Sequence, residues 1–289
     1  MEIYVHIPFC KQKCRYCSFI SQVGSKTDYE DYITLLLKEA ETRKEEINGT
    51  ISTVYIGGGT PSLLPPDQLK RLVNGLRKIF DFSHLVEFTS EANPGTLTKE
   101  WLMAATDSGI NRLSIGMQAF QNQMLSFLGR IHCFEDVVHS VSLARESGIG
   151  NINLDLIFGI PGQTSVDWSE TLDAALSLHP EHISAYGLIP EEGTPLYRDL
   201  EKHLYELPDP DTERKMYDEA IVKLNRKGLF QYEISNFARQ GFECKHNIGY
   251  WTQIPYMGIG VSAASMTGLS AGMNGTNERR GCLTTAPSF

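Results

Sequence analysis

Three cysteines lie within eight residues, Cys10, Cys14 and Cys17, in the C-x3-C-x2-C stretch Cys-Lys-Gln-Lys-Cys-Arg-Tyr-Cys. A loop this short can wrap three thiolates around one cubane iron–sulfur cluster. A 4Fe-4S cluster ordinarily takes four cysteines, so three leave one iron with an open position, as a catalytic zinc keeps one. An open iron can chelate the amino and carboxylate groups of S-adenosylmethionine (SAM). Electron transfer into the sulfonium then breaks a carbon–sulfur bond and gives a 5′-deoxyadenosyl radical, chemistry that belongs to the cofactor pair and that the protein has only to position. On spacing alone the alternative is a structural zinc site completed by His6 or a distant thiol.

Further polar residues recur after short runs of β-formers. Gly57-Gly58-Gly59-Thr60-Pro61-Ser62 follows one such run. Its glycines admit close backbone approach to the SAM amino group, and Thr60 adds a hydroxyl. It is not a phosphate-binding P-loop, because no Gly-Lys-Ser/Thr follows. Other runs end in Glu91-Ala92-Asn93-Pro94-Gly95 and Gly116-Met117-Gln118, and another contains Asp155 ahead of Gly159-Ile160-Pro161-Gly162. An acidic group can hold an ammonium or ribose hydroxyls, an amide can serve polar groups of SAM or substrate, and Arg130 can pair with a carboxylate. Each alone reads equally as a solvated residue or a cap; the repeated position is the signal. Beyond them lies Cys244-Lys245-His246-Asn247-Ile248-Gly249-Tyr250-Trp251. A histidine beside aromatics can give haem iron an axial nitrogen, and the Cys244 thiolate is a rival ligand. A packing histidine and an ordinary buried thiol are the alternatives.

The elements that must position these residues alternate. Strand-like segments occupy Ile3 to Ile7, Thr53 to Ile56, Glu87 to Ser90, Arg112 to Met117, Asn151 to Phe158 and His182 to Leu188. Amphipathic helices fall between them. The first carries Ile33, Leu36, Leu37 and Ala40 on one stripe behind a Thr27/Glu30 capping box; another carries Trp168, Leu172, Ala175 and Leu176 behind a Thr164 cap. Gly109, Gly148 and Gly228 stand where helices end. Six strands and six helices without a long linker predict an α/β fold, an open partial (β/α)6 barrel, with a doubly wound sheet as the alternative. In a parallel α/β barrel, ligands gather at the carboxyl ends of the strands, where the polar residues recur. The expected division is a core over 1–230, a short carboxyl-terminal extension over 231–268, and a poorly structured tail over 269–289.

The cysteine motif, set in Tyr-Val-His-Ile-Pro-Phe-Cys, resembles the radical SAM superfamily, in the branch that contains oxygen-independent coproporphyrinogen III dehydrogenase and the HemW haem chaperones. The likeness runs from about Tyr4 to Thr267. It implies that Cys10, Cys14 and Cys17 hold a 4Fe-4S cluster. It also implies that Tyr4, Tyr16, Gly58, Gly59, Thr60, Glu91, Gln118, Arg130 and Asp155 face SAM or a second SAM, with Ile189 and Ala264 as weaker transfers. His246-Asn-x-x-Tyr-Trp resembles the haem-associated signature of HemW proteins, which makes His246 the leading haem ligand. Phe19 stands where the dehydrogenase pattern has a further cysteine, and few residues precede the first strand. Both features favour haem binding and delivery to acceptor proteins over oxidative decarboxylation of coproporphyrinogen III. The resemblance also implies an electron donor such as a flavodoxin or ferredoxin. Relatives of this type continue into a further carboxyl-terminal domain, so the 269–289 tail reads as a truncation of one.

Composition limits the remaining possibilities. The 289 residues are 41% hydrophobic, enough for a sizeable core, and carry a formal charge of −9. Scattered Lys and Arg form no basic stripe, so no nucleic-acid partner is expected. Glu2 sits where a basic leader region would begin, and no apolar run reaches the ~18 residues of a membrane span. Cytoplasmic localisation without stable membrane insertion follows as the expectation.

Overall fold

The computed structural model describes residues 1–47, 49–267 and 270–273. Its centre is six consecutive parallel strands: β1 (Glu2–Ile7), β2 (Thr53–Gly58), β3 (Glu87–Ala92), β4 (Arg112–Gln118), β5 (Asn151–Phe158) and β6 (His182–Gly187). The crossovers are α1 (Lys26–Arg43), α2 (Pro66–Ile79), α3 (Lys99–Asp107), the pair α4 (Asn122–Leu128) and α5 (Phe134–Glu146), and α6 (Ser165–Ser177). After α7 (Pro195–Glu201) and α8 (Pro210–Arg226) come β7 (Phe230–Gln231), β8 (Asn236–Ala238), α9 (Lys245–Trp251), β9 (Tyr256–Ile259), β10 (Ala264–Thr267) and β11 (Ser270–Met273). The sheet order is β11-β10-β9-β1-β2-β3-β4-β5-β6-β8-β7. Neither end closes on the other, so the barrel is open.

The six central strands match the sequence reading, β1, β4, β5 and β6 to within one residue, while two run two residues further. β2 takes in Gly57 and Gly58, and β3 takes in Glu91 and Ala92. Parallel pairing continues through them, His6 against Gly57 and Ile7 against Gly58, so these glycines end a strand rather than form a loop. The residues assigned to an extension also enter the sheet. β8 pairs antiparallel with β6, and β9 pairs parallel with β1, Glu2 opposite Tyr256. Of the expected tail, Ser270–Met273 pairs with β10 and the rest lies outside the described residues.

Side-chain alternation sets the two faces of the sheet. Ile3, Val5 and Ile7, Val54 and Ile56, Leu113, Ile115 and Met117, and Ile152 and Leu154 are fully buried in one continuous core that includes the helices' apolar stripes. The intervening residues line the barrel and are polar: Glu2, Tyr4 and His6; Thr53 and Tyr55; Glu87, Thr89 and Glu91; Arg112 and Ser114; Asn153 and Asp155; His182 and Ser184. Register stacks them in layers, Glu2 beside Thr53 beside Glu87, and Tyr4 beside Tyr55 beside Thr89.

The helix ends largely follow their sequence signals. Thr164 and Asp167 form the capping box of α6. At α1 the box is Ser25/Asp28 rather than Thr27/Glu30. The chain is already helical at Lys26, and extended Ser25 supplies the oxygen that accepts from Asp28 N. Gly109, Gly148 and Gly228 have φ of 84°, 88° and 80°, the left-handed conformation expected at helix ends.

Candidate cluster and cofactor site

The cysteine loop leaves β1 and is clasped at its base. Cys10 N donates to Gln22 O at 2.9 Å, and Gln22 N donates to Pro8 O at 2.8 Å. Its middle is tied to the rim, where Arg15 N donates to Leu128 O at 3.0 Å and the Arg15 guanidinium meets Asp199 at 2.6 Å. Cys10, Cys14 and Cys17 therefore share one loop at the carboxyl end of the strands, all partly exposed and near enough for their charges to interact, although among the described residues no three His, Cys, Asp or Glu side chains converge on a single metal position. Burial raises the Cys14 thiol and pushes Cys17 up to about 11; Cys10 adds to both, Cys14 adds to Cys17, and Arg130 opposes both. Such thiols ionise when a metal replaces the proton. His6 cannot complete a zinc site in this arrangement: Nε2 donates to Ile20 O at 3.0 Å and Nδ1 accepts from the Tyr4 hydroxyl at 3.2 Å.

Two glycines let the loop and strand close on each other. Gly58 has φ of 108°, and a Cβ there would sit 2.6 Å from the His6 ring; at Gly59 it would sit 2.7 Å from Phe9 O. Thr60, just beyond, donates to Cys10 Sγ at 3.6 Å and accepts from Asn93 Nδ2 at 2.8 Å. Asn93 Oδ1 accepts from Arg130 Nη1 at 2.7 Å, and Arg130 Nη2 donates to the Tyr16 hydroxyl at 2.6 Å. This links Thr60, Asn93, Arg130 and Tyr16 to the cysteine loop. Among the described residues Arg130 Nε is buried without a partner, a donor free for an anionic group.

A second group lies deeper. Glu91 accepts from the Tyr55 hydroxyl and from Gly58 N, each at 3.0 Å. Asp155 accepts from Ser114 at 2.9 Å and Asn153 at 2.8 Å. Burial, then the neighbouring Asp155 charge, pushes Glu91 up to about 7, and burial raises Asp155. Two buried carboxyls, one of which raises the proton affinity of the other, are a place for a cation to bind. Tyr4 stacks on Tyr55, centroids 6.2 Å apart. Gln118 sits at φ of 65° beside a register shift in β4, over Gly116, whose absent Cβ would meet Gln118 Nε2 at 2.7 Å. Non-glycine residues in this region cost on the order of 1 kcal/mol and cluster at functional sites. The residues fit both groups: three gathered thiols for a cluster, and glycines, a buried carboxyl pair and an orphaned guanidinium nitrogen for an amino-acid head group.

Ile189 is exposed after β6, and Ala264 lies on β10, two strands away from β1. Phe19 is 52% exposed on the cysteine loop. Asn93 and Tyr55 join the site without having been singled out. Asn93 stood in a quoted strand-end motif, whereas an aromatic inside a strand reads as core.

His246 and Cys244 stand apart from this site. Both lie at the opposite, amino end of the barrel, where α9 plugs the layer of Glu2, Thr53 and Glu87. Glu87 accepts from Lys245 N at 2.8 Å, His246 N at 3.1 Å and Cys244 Sγ at 3.3 Å. The His246 ring is 1% exposed, with Nδ1 bonded to Thr53 Oγ1 at 2.7 Å and Nε2 to the Tyr250 hydroxyl at 2.9 Å. Both ring nitrogens are thus engaged within the protein, and burial pushes the Cys244 thiol up to about 12. Glu2 Oε2 lies 3.7 Å from His246 Nδ1, but burial pushes Glu2 up to about 8 and His246 down to about 3. At pH 7 the two are neutral and do not form an ion pair.

A family model for the radical SAM superfamily matches residues 4–175. The chain is 40% identical over 267 residues to the haem chaperone HemW of Bacillus subtilis, covering 92% of this chain and 70% of that protein. HemW of Escherichia coli is 36% identical over 91% of this chain and 69% of its own length. Among solved structures, the coproporphyrinogen III oxidase HemN of Escherichia coli, described as a radical SAM enzyme, superposes with a TM-score of 0.82 at 27% identity, covering 96% of this chain and 67% of that one.

Proposed function

From the chain's membership of the radical SAM superfamily and, within it, of the HemW haem-chaperone family, we propose that it binds haem and delivers it to acceptor proteins. Membership implies a 4Fe-4S cluster and SAM; together, when bound, these supply reductive cleavage of a carbon–sulfur bond. Cys10, Cys14 and Cys17 would hold three irons. Gly58, Gly59 and Thr60 would offer backbone and hydroxyl contacts to the SAM head group. Glu91 would take its ammonium, Asp155 its ribose hydroxyls or a second cation, and Arg130 a carboxylate; Tyr4, Tyr16 and Gln118 complete the walls. The exposed cysteine loop would receive electrons from a flavodoxin or ferredoxin. No helix among the described residues is long and apolar enough to cross a membrane, and a cytoplasmic site of action is part of the proposal.

The observation that carries this reading is the identity to HemW across 92% of the chain. Phe19 in place of a further cysteine supports it against the dehydrogenase alternative. The test incubates the reduced, cluster-reconstituted chain with SAM and coproporphyrinogen III. We expect no protoporphyrinogen; sustained formation would overturn the chaperone reading.

A further inference from the structure

We infer that His246 is a positioning residue for the SAM ammonium group, acting from the far side of the barrel through Tyr55 on Glu91. This deepens the proposed function and rests on its reading of Glu91 as a SAM contact. The imidazole lies against the Tyr55 ring, centroids 5.4 Å apart and planes at 27°. Tyr4, the β1 neighbour of Tyr55 in the sheet register, also stacks on it with planes at 25°, so Tyr55 is packed against two rings. The His246 ring is fixed in its plane, because both nitrogens are bonded, to Thr53 and to Tyr250. Tyr250 also packs edge-on against it, centroids 5.0 Å apart.

What the stack fixes is the Tyr55 hydroxyl, one of the two donors that orient the Glu91 carboxyl. Gly57 provides the room for that meeting: a Cβ there would lie 3.0 Å from both the Tyr55 ring and the Glu91 carboxyl. Without the imidazole, Tyr55 loses one of the two rings packed against it and gains space to tilt, and its 3.0 Å bond to Glu91 is lost. A buried hydrogen bond contributes roughly 1 kcal/mol, so SAM affinity changes by about fivefold. The histidine motif thereby serves the SAM site, without touching SAM and without ligating haem.

The test measures equilibrium SAM binding by the cluster-reconstituted full chain and its His246→Asn, His246→Phe, Tyr55→Phe and His246→Asn/Tyr55→Phe variants, with iron content as the control for loading. Asn keeps a polar group beside Thr53 but removes the ring; Phe keeps the ring. At equal iron content, His246→Asn and Tyr55→Phe are each expected to weaken SAM about fivefold, and the double variant no further, because contacts in series are non-additive. His246→Phe is expected to stay within about twofold of the parent, since its ring still backs Tyr55. Unchanged affinity in His246→Asn, full multiplication in the double variant, or a loss in His246→Phe as large as in His246→Asn overturns the inference. Where His246→Asn does not fold, Tyr55→Phe decides: unchanged affinity removes the only route from His246 to Glu91. A parent chain with full iron that binds no SAM defeats the reading of the site itself; SAM binding that is equal in all variants defeats only this inference.

Discussion

Glu91 carries the clearest chemical signature of any single residue in the barrel. Its carboxyl is buried beside Asp155 and pushed up to about 7, so at mildly acidic pH it is largely protonated. A sulfonium amino acid placed against it favours the ionised form and must displace that proton. SAM affinity is therefore expected to fall by about tenfold per pH unit below 7 and to level off above it. Glu91→Gln is expected to bind SAM weakly with no such slope; a parent profile flat from pH 5.5 to 8 contradicts the assignment. At this scale type and spacing single out Cys10, Cys14 and Cys17, whereas Thr60, Glu91, Arg130 and Asp155 stand out only by their repeated position and by the resemblance. Tyr55 does not, because one aromatic in a strand looks the same whether it packs in the core or holds a carboxyl, and only the alternation of the two sheet faces assigns it to the barrel lining.

At the scale of elements, α9 illustrates what sequence spacing leaves open. His246, Asn247, Tyr250 and Trp251 form a motif whose chemistry suggests a ligand, yet the helix that carries them is placed by Glu87 and by close packing against Glu2. Gly249 makes that packing possible, since any Cβ would enter the Glu2 carboxyl. Gly249→Ala is expected to cost about 2 kcal/mol by overpacking, read as a lower Tm. Glu2, raised to about 8 from an ordinary 4.5, favours the folded state fully below pH 4.5 and loses that contribution as pH rises through 8. Glu2→Gln is accordingly expected to flatten the fall in Tm between pH 5 and 8.5; an unchanged slope would place the pH dependence elsewhere. His246, lowered to about 3, acts in the opposite sense: its contribution is present above 6.5 and is lost as pH falls towards 3. The helix's location was not legible because long-range register, β9 beside β1 and β8 beside β6, decides it, and short-range periodicity carries no information about that pairing.

On the scale of the whole molecule, the chain sorts its functions along the barrel axis. Cysteines, glycines and the orphaned Arg130 nitrogen gather at the carboxyl ends of the strands, and the histidine motif closes the amino end. The six parallel strands were readable from β-branched runs punctuated by helix caps, and the open barrel followed from their number. The strands flanking them were not, being short, β8 and β9 only three and four residues long. The central proposal is a haem-binding chain whose histidine motif, bonded within the protein at both ring nitrogens, supplies no haem ligand. Its most direct test is anaerobic haem titration of the reconstituted chain and its His246→Ala variant, followed in the Soret band. The account predicts saturation at one haem per chain, with the same affinity and spectrum in both; absence of saturable binding by the parent, or loss of the band on replacing His246, would contradict it.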